Sequence, residues 1–327
     1  MKLHSLGISG IATMDLHSLN NEGSEGNALM TRMVEIVDAL GKNHTVNAIS
    51  GDMFKHIQAE HLFIEAKEAD TDTKNMLPLC NGCQTFDANR IAADETFTKN
   101  KEFSSNTKDS EILNDIIKRC IIDDLEGIMI TSNIGGKDRS ISRKSCIEFG
   151  WVIGCPTNTR TESYFHVKFV PEGRGKGSNS AENLGQNIFH RPASSGQYAI
   201  VVNIDLYKIG RNDITLSYVD GINRKERIKA ILKSVLNTFI KPTGANRNTQ
   251  LPHILDFNGA ISYSRSTLPS PIISGLNPNF IDEINLIAEN LNRVQSDNSI
   301  NILPFASIGE FSKNMADIIQ NIEPYGV

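Results

Sequence analysis

Long hydrophobic runs are missing from this chain. No apolar stretch approaches the roughly 20 residues of a membrane-spanning helix. The N-terminus also lacks the basic and apolar regions of a secretion signal. The expected location is the cytoplasm, with no membrane partner. Cysteine is scarce and odd in number, five scattered residues, which fits reduced thiols better than a disulfide framework. No Walker motif, dinucleotide fingerprint, GxSxG or HExxH occurs, so those nucleotide, serine-hydrolase and metalloprotease signatures are excluded. A tandem internal repeat is absent too, so any repetition would come from several copies of the chain. What is there is an ordinary globular composition, 39% hydrophobic and 22% charged over 327 residues. That is enough for one large domain or two ordinary ones.

The net charge of −5 hides a segregation. Residues 1–127 sum to −9, residues 128–265 to +9 and residues 266–327 to −5. A basic middle between acidic flanks can present a polyanion-binding surface on an acidic protein. It can also let copies stack, acidic surface against basic. Chance clustering is the alternative, since sequence blocks need not be surface patches.

Periodicity predicts the elements. In residues 3–14, Leu6, Ile8, Ala12 and Met14 share one face of a half-buried strand. A helix starts at Ser50 and runs to about Ala66. Residues 67–109 are polar and acidic and read as an irregular or partly helical excursion. A helix follows at 110–122, carried by Ile112, Ile116 and Ile117. Strands are expected at 128–134, 146–154, 163–170 and 198–206. A Gly/Ser/Asn-rich stretch at 171–187 reads as a flexible loop, and 188–191 as the returning arm of a hairpin. The clearest helix is 222–240, with Ile228, Ile231, Leu232, Val235, Leu236 and Phe239 on the apolar face. Arg224, Lys225, Arg227, Lys229 and Lys233 are assigned to its polar side. A strand at 254–263, with Leu255, Phe257, Ile261 and Tyr263 in phase, precedes two helices at about 279–295 and 307–322. Strand, helix, strands, helix, strand is a split βαβ or ferredoxin-like order, so the fold class is α+β.

Several clusters carry possible chemistry. At the start of the first helix, Ser50 is a favoured N-cap, Gly51 permits close backbone approach, and Lys55 and His56 follow one turn later. Free N–H groups, a hydroxyl, a lysine and an imidazole make a phosphate seat; an ordinary capped helix is the plain alternative. In 163–170, Tyr164, His166 and Lys168 lie opposite Phe165, Val167 and Phe169. A ring, an imidazole and a cation suit single-stranded RNA, as against a solvated strand face. Arg139, Arg143 and Lys144 follow Gly135–Gly136, where the backbone can bend toward a phosphate. In the loop after the basic helix, Gly244 permits a turn, Arg247 can fork two hydrogen bonds to phosphate, and Asn248 can reach a base or backbone. Solvated charge is the alternative in both places. Cys80-Asn-Gly-Cys83 is a lone CxxC. Two buried thiols in a turn are the default, and no metal or other cofactor is expected. Structural zinc, with Cys120, His56 or His61 completing the set, is the weaker reading, because no second pair has zinc spacing.

Five segments in order, Asp15–Asn27, Asn47–His61, Ser142–Gly150, Tyr164–Phe169 and Gly244–His253, resemble the DevR autoregulator family of CRISPR proteins. The resemblance implies an RRM-like palm with a helical fingers insertion and a thumb β-hairpin. The expected boundaries are 1–66 and 126–265 for the palm, 67–125 for the fingers and about 155–195 for the thumb. Residues 266–327 would be a C-terminal helical extension. It also implies a backbone subunit of the Cascade complex. Copies would line up head to tail along CRISPR RNA, beside other Cascade subunits, and meet target DNA through the guide. No catalysis is expected. Ser18, Asn20 and Asn21 fall in a loop that faces RNA in the family. Related type III subunits cut RNA with an acidic residue there, comparable with Asp15, Glu22 or Glu25, so a metal-dependent endoribonuclease is one alternative. A DNA-binding autoregulator is another, although no helix-turn-helix pattern supports it.

Overall fold

The computed structural model describes residues 1–20, 23–25, 28–69, 76–169, 186–245 and 248–326. The principal strands are β1 (Ser5–His17), β2 (Met33–Val37), β3 (Asn43–Ile49), β4 (Ile128–Ile134), β5 (Lys137–Arg143), β6 (Ile147–Phe149), β7 (Val152–Phe169), β8 (Gln186–Ile204), β9 (His253–Ser264) and β10 (Ile300–Phe305). The principal helices are α1 (Gly51–Lys67), α2 (Asp109–Arg119), α3 (Ile121–Glu126), α4 (Arg224–Ile240), α5 (Phe280–Gln295) and α6 (Ile308–Asn321). One large sheet runs in the order β10–β9–β1–β8–β7–β3–β2, with antiparallel neighbours throughout. A large antiparallel sheet with separate helices is an α+β arrangement.

The alternation in β1 works as expected on one face. Leu6, Ile8, Ala12 and Met14 enter the main core with Tyr198, Ile200 and Val202 of β8 and Phe257 and Ile261 of β9. Helices α1, α4 and α6 contribute Phe54, Phe239 and Phe311 to the same core. Phe239 stacks on Phe257 at 4.7 Å, and Phe311 meets Phe257 edge-on at 5.1 Å, geometries that add about 0.5–1.5 kcal/mol per pair beyond burial. The other face of β1 departs from the half-buried expectation. Ser5 and Ser9 are buried as well, because the chain at 270–273 lies across them. Ser5 and Ser270 share a hydrogen bond at 2.9 Å, and Ile273 N donates to Ser9 Oγ at 3.1 Å. Small residues at alternate positions leave room for that second layer.

Three further expectations change. The C-terminal region is not only helical: β10 extends the sheet edge beside β9, and its Pro304 suits an edge strand. Leu255 is exposed rather than in phase with Phe257, because the β9–β1 register shifts between Ile254 and Asp256. Gly135 and Gly136 do not bend toward a ligand. Their φ angles of 65° and 78° make the two-residue turn between β4 and β5.

The region after α1 is an excursion of short turns, as expected. Cys83–Thr85 and Arg90–Ala93 are 3₁₀ turns and Glu95–Thr98 is a single helical turn. The helix expected at 110–122 is broken at Cys120, whose backbone is extended (φ −146°, ψ 122°), giving α2 and α3. The hairpin expected around 163–191 is far longer than its apolar signal. β7 and β8 pair from Thr159–Gly196 to Phe169–Gln186. β1 ends opposite Ser194, so the hairpin arms run on without it. The loop expected at 171–187 lies outside the described residues up to 185.

Candidate nucleic-acid interface

Four segments converge at the start of α1. Ser50 caps the helix as its residue type dictates, accepting from Met53 N at 3.2 Å. Asn20 is buried and pins this cap: its amide donates to Ala48 O, and its Oδ1 accepts from Ser50 N at 3.1 Å. Asn20 is therefore a positioning residue with its side chain already engaged, not a free contact for a ligand. Gly51 does permit a close approach, but to protein. A Cβ there would stand 2.5 Å from Phe149 O. Gly244 does the same for the first loop, lying where a Cβ would meet Leu19 O at 2.7 Å, while Ala245 N donates to that carbonyl at 3.0 Å. The loops carrying Ser18, Ser50 and Gly244 are thus brought together. Ser18 is half-buried and Asn248 is exposed. Asn21 and Arg247 lie outside the described residues.

Lys55 divides two cavities. One, of about 290 Å³, lies against Ser50, Gly51, Ser145, Phe149 and Trp151. The other, of about 340 Å³, is lined by His56, Phe86, Asp87 and Arg90. Lys55 Nζ donates to Glu126 O at 3.1 Å at the end of α3. The Glu126 side chain beneath is buried, and burial raises its pKa against the pull of Lys55 and Arg90. His56 is exposed and tilts against Phe86 at 5.6 Å. Arg32, which belongs to no motif, stands over the Trp151 ring at 5.4 Å beside the first cavity.

The basic trio before Trp151 is corrected by the structure. Arg139 is buried; it donates to Ile134 O at 3.0 Å and Ser104 O at 3.0 Å and pairs with Asp109. Arg143 is buried too, donating to Asp124 at 2.7 Å, Asp213 at 3.0 Å and Lys208 O at 2.9 Å. Both guanidiniums are engaged inside the protein and neither is available to a phosphate. Lys144 alone of the three is exposed. The polar side assigned to α4 is corrected likewise. Arg224 and Arg227 are buried, while Lys225, Lys229 and Lys233 pair at the surface with Glu323, Glu226 and Glu65. Much of the +9 block is therefore neutralised within the fold.

On the hairpin, Tyr164 is exposed and His166 half-buried. Phe165 and Val167, expected on a covered hydrophobic side, are 59% and 47% exposed. Only His190, edge-on at 5.8 Å across the strand pair, shields Phe165 among the ring contacts of the described residues. Lys168 belongs to β7. Its side chain lies outside the described residues.

His17 lies at the end of β1, buried, with its ring edge-on to Tyr198 at 4.9 Å. Neither ring nitrogen has a hydrogen-bond partner, and burial pushes its pKa down from 6.5 to about 4. The unfolded chain therefore binds a proton in a range where the folded one does not, and stability falls as pH drops from about 6.5 to about 4. Replacing His17 by Leu should remove this acid sensitivity. Between pH 7 and pH 4.5 the parent should lose about 2.5 kcal/mol more than the variant in urea unfolding. Equal losses would mean that the ring is solvated.

In the region between α1 and β4, Cys80, Cys83, Cys120 and Asp123 are buried together, their ligand atoms all within 4.8 Å of one another. The histidines expected as possible partners are elsewhere: His61 Nε2 faces Lys241 O at 2.8 Å. Of the possible partners named from the sequence, only Cys120 lies in this cluster, and Asp123 carries no signal in spacing.

Residues 8–285 match the family described as CRISPR-associated negative auto-regulator DevR/Csa2. A search of curated proteins finds no match. Among solved structures, a chain of a CRISPR RNA-guided surveillance complex in a pre-nicking state is 15% identical, with 91% of this chain and 90% of that chain covered and a TM-score of 0.47. A chain of another CRISPR RNA-guided surveillance complex is 12% identical, with 97% and 98% covered and a TM-score of 0.46.

Proposed function

Because the chain belongs to the CRISPR-associated negative auto-regulator DevR/Csa2 family, we propose that it is the guide-RNA-binding backbone subunit of a type I Cascade complex. The family match over residues 8–285 carries this reading. The strand order β9–β1–β8–β7, with α1 after the first strand and α4 before the last, supports an RRM-like palm. The turns and helices between α1 and β4 are then the fingers, and the β7–β8 hairpin is the thumb. Exposed Tyr164, Phe165 and Val167 on the hairpin suit stacking on bases or docking on the next copy. The cavities around Lys55 offer a cation and helix-start N–H groups to a phosphate. Sequence reading belongs to the guide, which pairs with target DNA. The chain works beside other Cascade subunits in the cytoplasm and performs no cleavage itself.

Copies would add head to tail along the RNA, since a contact between unlike surfaces does not close and can propagate. Light scattering on RNAs of increasing length should give stepwise larger particles. A closed dimer of constant size that prefers duplex DNA would overturn the proposal in favour of a transcriptional regulator.

A further inference from the structure

We propose that the fingers hold a structural zinc ion on Cys80, Cys83, Cys120 and Asp123. The inference stands on the geometry of the fingers and does not depend on the RNA reading. The four ligand atoms are buried and mutually within 4.8 Å. A tetrahedral ion with Zn–S near 2.3 Å and Zn–O near 2.0 Å sets sulfur–oxygen edges of about 3.5 Å and sulfur–sulfur edges of about 3.8 Å. Asp123 Oδ2 already lies 3.5 Å from Cys80 Sγ and 3.8 Å from Cys83 Sγ. A modest contraction around an ion therefore completes the set.

The surroundings are built for it. The CxxC closes a tight knuckle in which Cys83 N donates to Cys80 Sγ at 3.4 Å, the kind of outer hydrogen bond that steadies a thiolate ligand. Gly82 inside the knuckle has no room for a side chain, since a Cβ would fall 2.0 Å from Arg90 O. Asp94 grips the knuckle from outside, accepting from Asn81 N at 3.0 Å and Asn81 Nδ2 at 3.1 Å. The second half of the site comes from the break between α2 and α3. Cys120 sits at that break, Asp123 follows in the first turn of α3, and Ile121 N donates to Pro78 O at 2.8 Å, holding the two halves together. Asp123 Oδ1 is buried without a hydrogen-bond partner, an expensive state for a carboxyl group unless a cation shares it. Three thiolates and a carboxylate favour zinc over magnesium or calcium, which prefer all-oxygen shells. On binding, the thiols release their protons to solvent. Burial raises the Asp123 pKa and the Arg90 charge opposes that rise, so the guanidinium offsets part of the site's negative charge.

The ion would staple a region made of single turns to α3. Cys83 also lines the cavity beside Lys55 and His56, so the staple shapes the floor of that cavity.

The test uses the full chain. Metal analysis after exhaustive dialysis should find about one zinc per chain. Cobalt substitution should produce thiolate-to-cobalt charge-transfer bands and tetrahedral d–d bands. A Cys80→Ser/Cys83→Ser chain should retain less than about a tenth of the parent's zinc, whereas Cys155→Ser, outside the cluster, should retain it all. If the double variant does not fold, the parent decides the matter. Stripping zinc with a chelator should lower its Tm, and zinc should restore it. Parent protein prepared with zinc but free of it after dialysis, with a Tm indifferent to chelator, would overturn the proposal. So would a Cys80–Cys83 disulfide found by mass spectrometry in the freshly purified chain.

Discussion

Replacing Asp124 by Ala should destabilise the protein by about 3–5 kcal/mol, the usual cost of removing one partner from a buried ion pair. Asp124 lies on α3, fully buried. Its Oδ1 accepts from Arg143 Nη2 at 2.7 Å and from Gly210 N at 3.3 Å, and its Oδ2 from Arg227 Nη1 at 2.6 Å. Burial works against the Arg143 charge, but Asp124 and its neighbours overcome it and hold the pKa above its ordinary value. Without the carboxylate, Arg143 keeps Asp213, while Arg227 keeps only carbonyls, Ile117 O at 2.7 Å among them. Two guanidiniums would share too little negative charge in a dry site. Domains are stable by only about 5–15 kcal/mol, so the loss would be a large part of the whole. The cluster ties α3 to β5 and α4, and hence the inserted region before β4 to the rest of the protein. Urea unfolding should show a lower midpoint. Replacing Asp124, Arg143 and Arg227 together by apolar residues of similar volume should recover most of the loss, because well-packed apolar substitutes for buried ion clusters are often neutral. If Asp124→Ala alone stays within about 1 kcal/mol of the parent, water reaches the cluster and the ion pairs are weak.

The same cluster marks where the sequence stopped being legible. Period-2 reading looks for apolar residues, and β5 buries Arg139, Ile141 and Arg143 on its inward face. An Arg-Ile-Arg face looks polar in one dimension, so its alternation carries no strand signal. In α4 the apolar stripe is legible, but Arg224 and Arg227, which look solvent-facing in the sequence, are buried. A helix in contact with one layer has a wet side. Here Arg227 reaches carbonyls of α2, Ile117 O at 2.7 Å and Lys118 O at 3.4 Å, from the inserted region. Nothing local in the sequence announces that second layer. Charge blocks misled for the same reason: Asp109 and Asp124 of the acidic block neutralise Arg139, Arg143 and Arg227 of the basic one. The stacking of copies therefore draws less support from net charge than the blocks suggested. The Ser50 cap was legible because capping is local. The role of Asn20 was not, since its partner lies 30 residues away.

RNA affinity should carry the largest effect of all. A copy that holds six to ten phosphates of a single strand should bind about 300- to 15,000-fold more weakly at 200 mM than at 50 mM salt, as neutralised phosphates recapture counterions. The grip should tolerate sequence, because backbone contacts carry no base information. The cations free to make it are fewer than the composition promised. Arg139, Arg143, Arg224 and Arg227 are buried, and three lysines of α4 are paired with carboxylates. Of the cations the sequence nominates, Lys55 and Lys144 remain accessible, while the Lys168 side chain and Arg247 lie outside the described residues; the expectation rests on these four. Lys55→Ala loses the bond to Glu126 O and its attraction for the buried Glu126 carboxyl, a smaller loss of stability than that of the Asp124 variant. Its affinity for a single-stranded RNA should fall, and the slope of log K against log salt should flatten by about 0.7, the share of one phosphate. Arg247→Ala should do the same, and the pair should flatten it by about twice as much. Fluorescence anisotropy on two unrelated RNAs, each at four salt concentrations, measures all of this. A salt-insensitive, strongly sequence-selective profile would exclude a backbone grip. A normal slope left unchanged by Lys55→Ala would place the phosphates away from the start of α1.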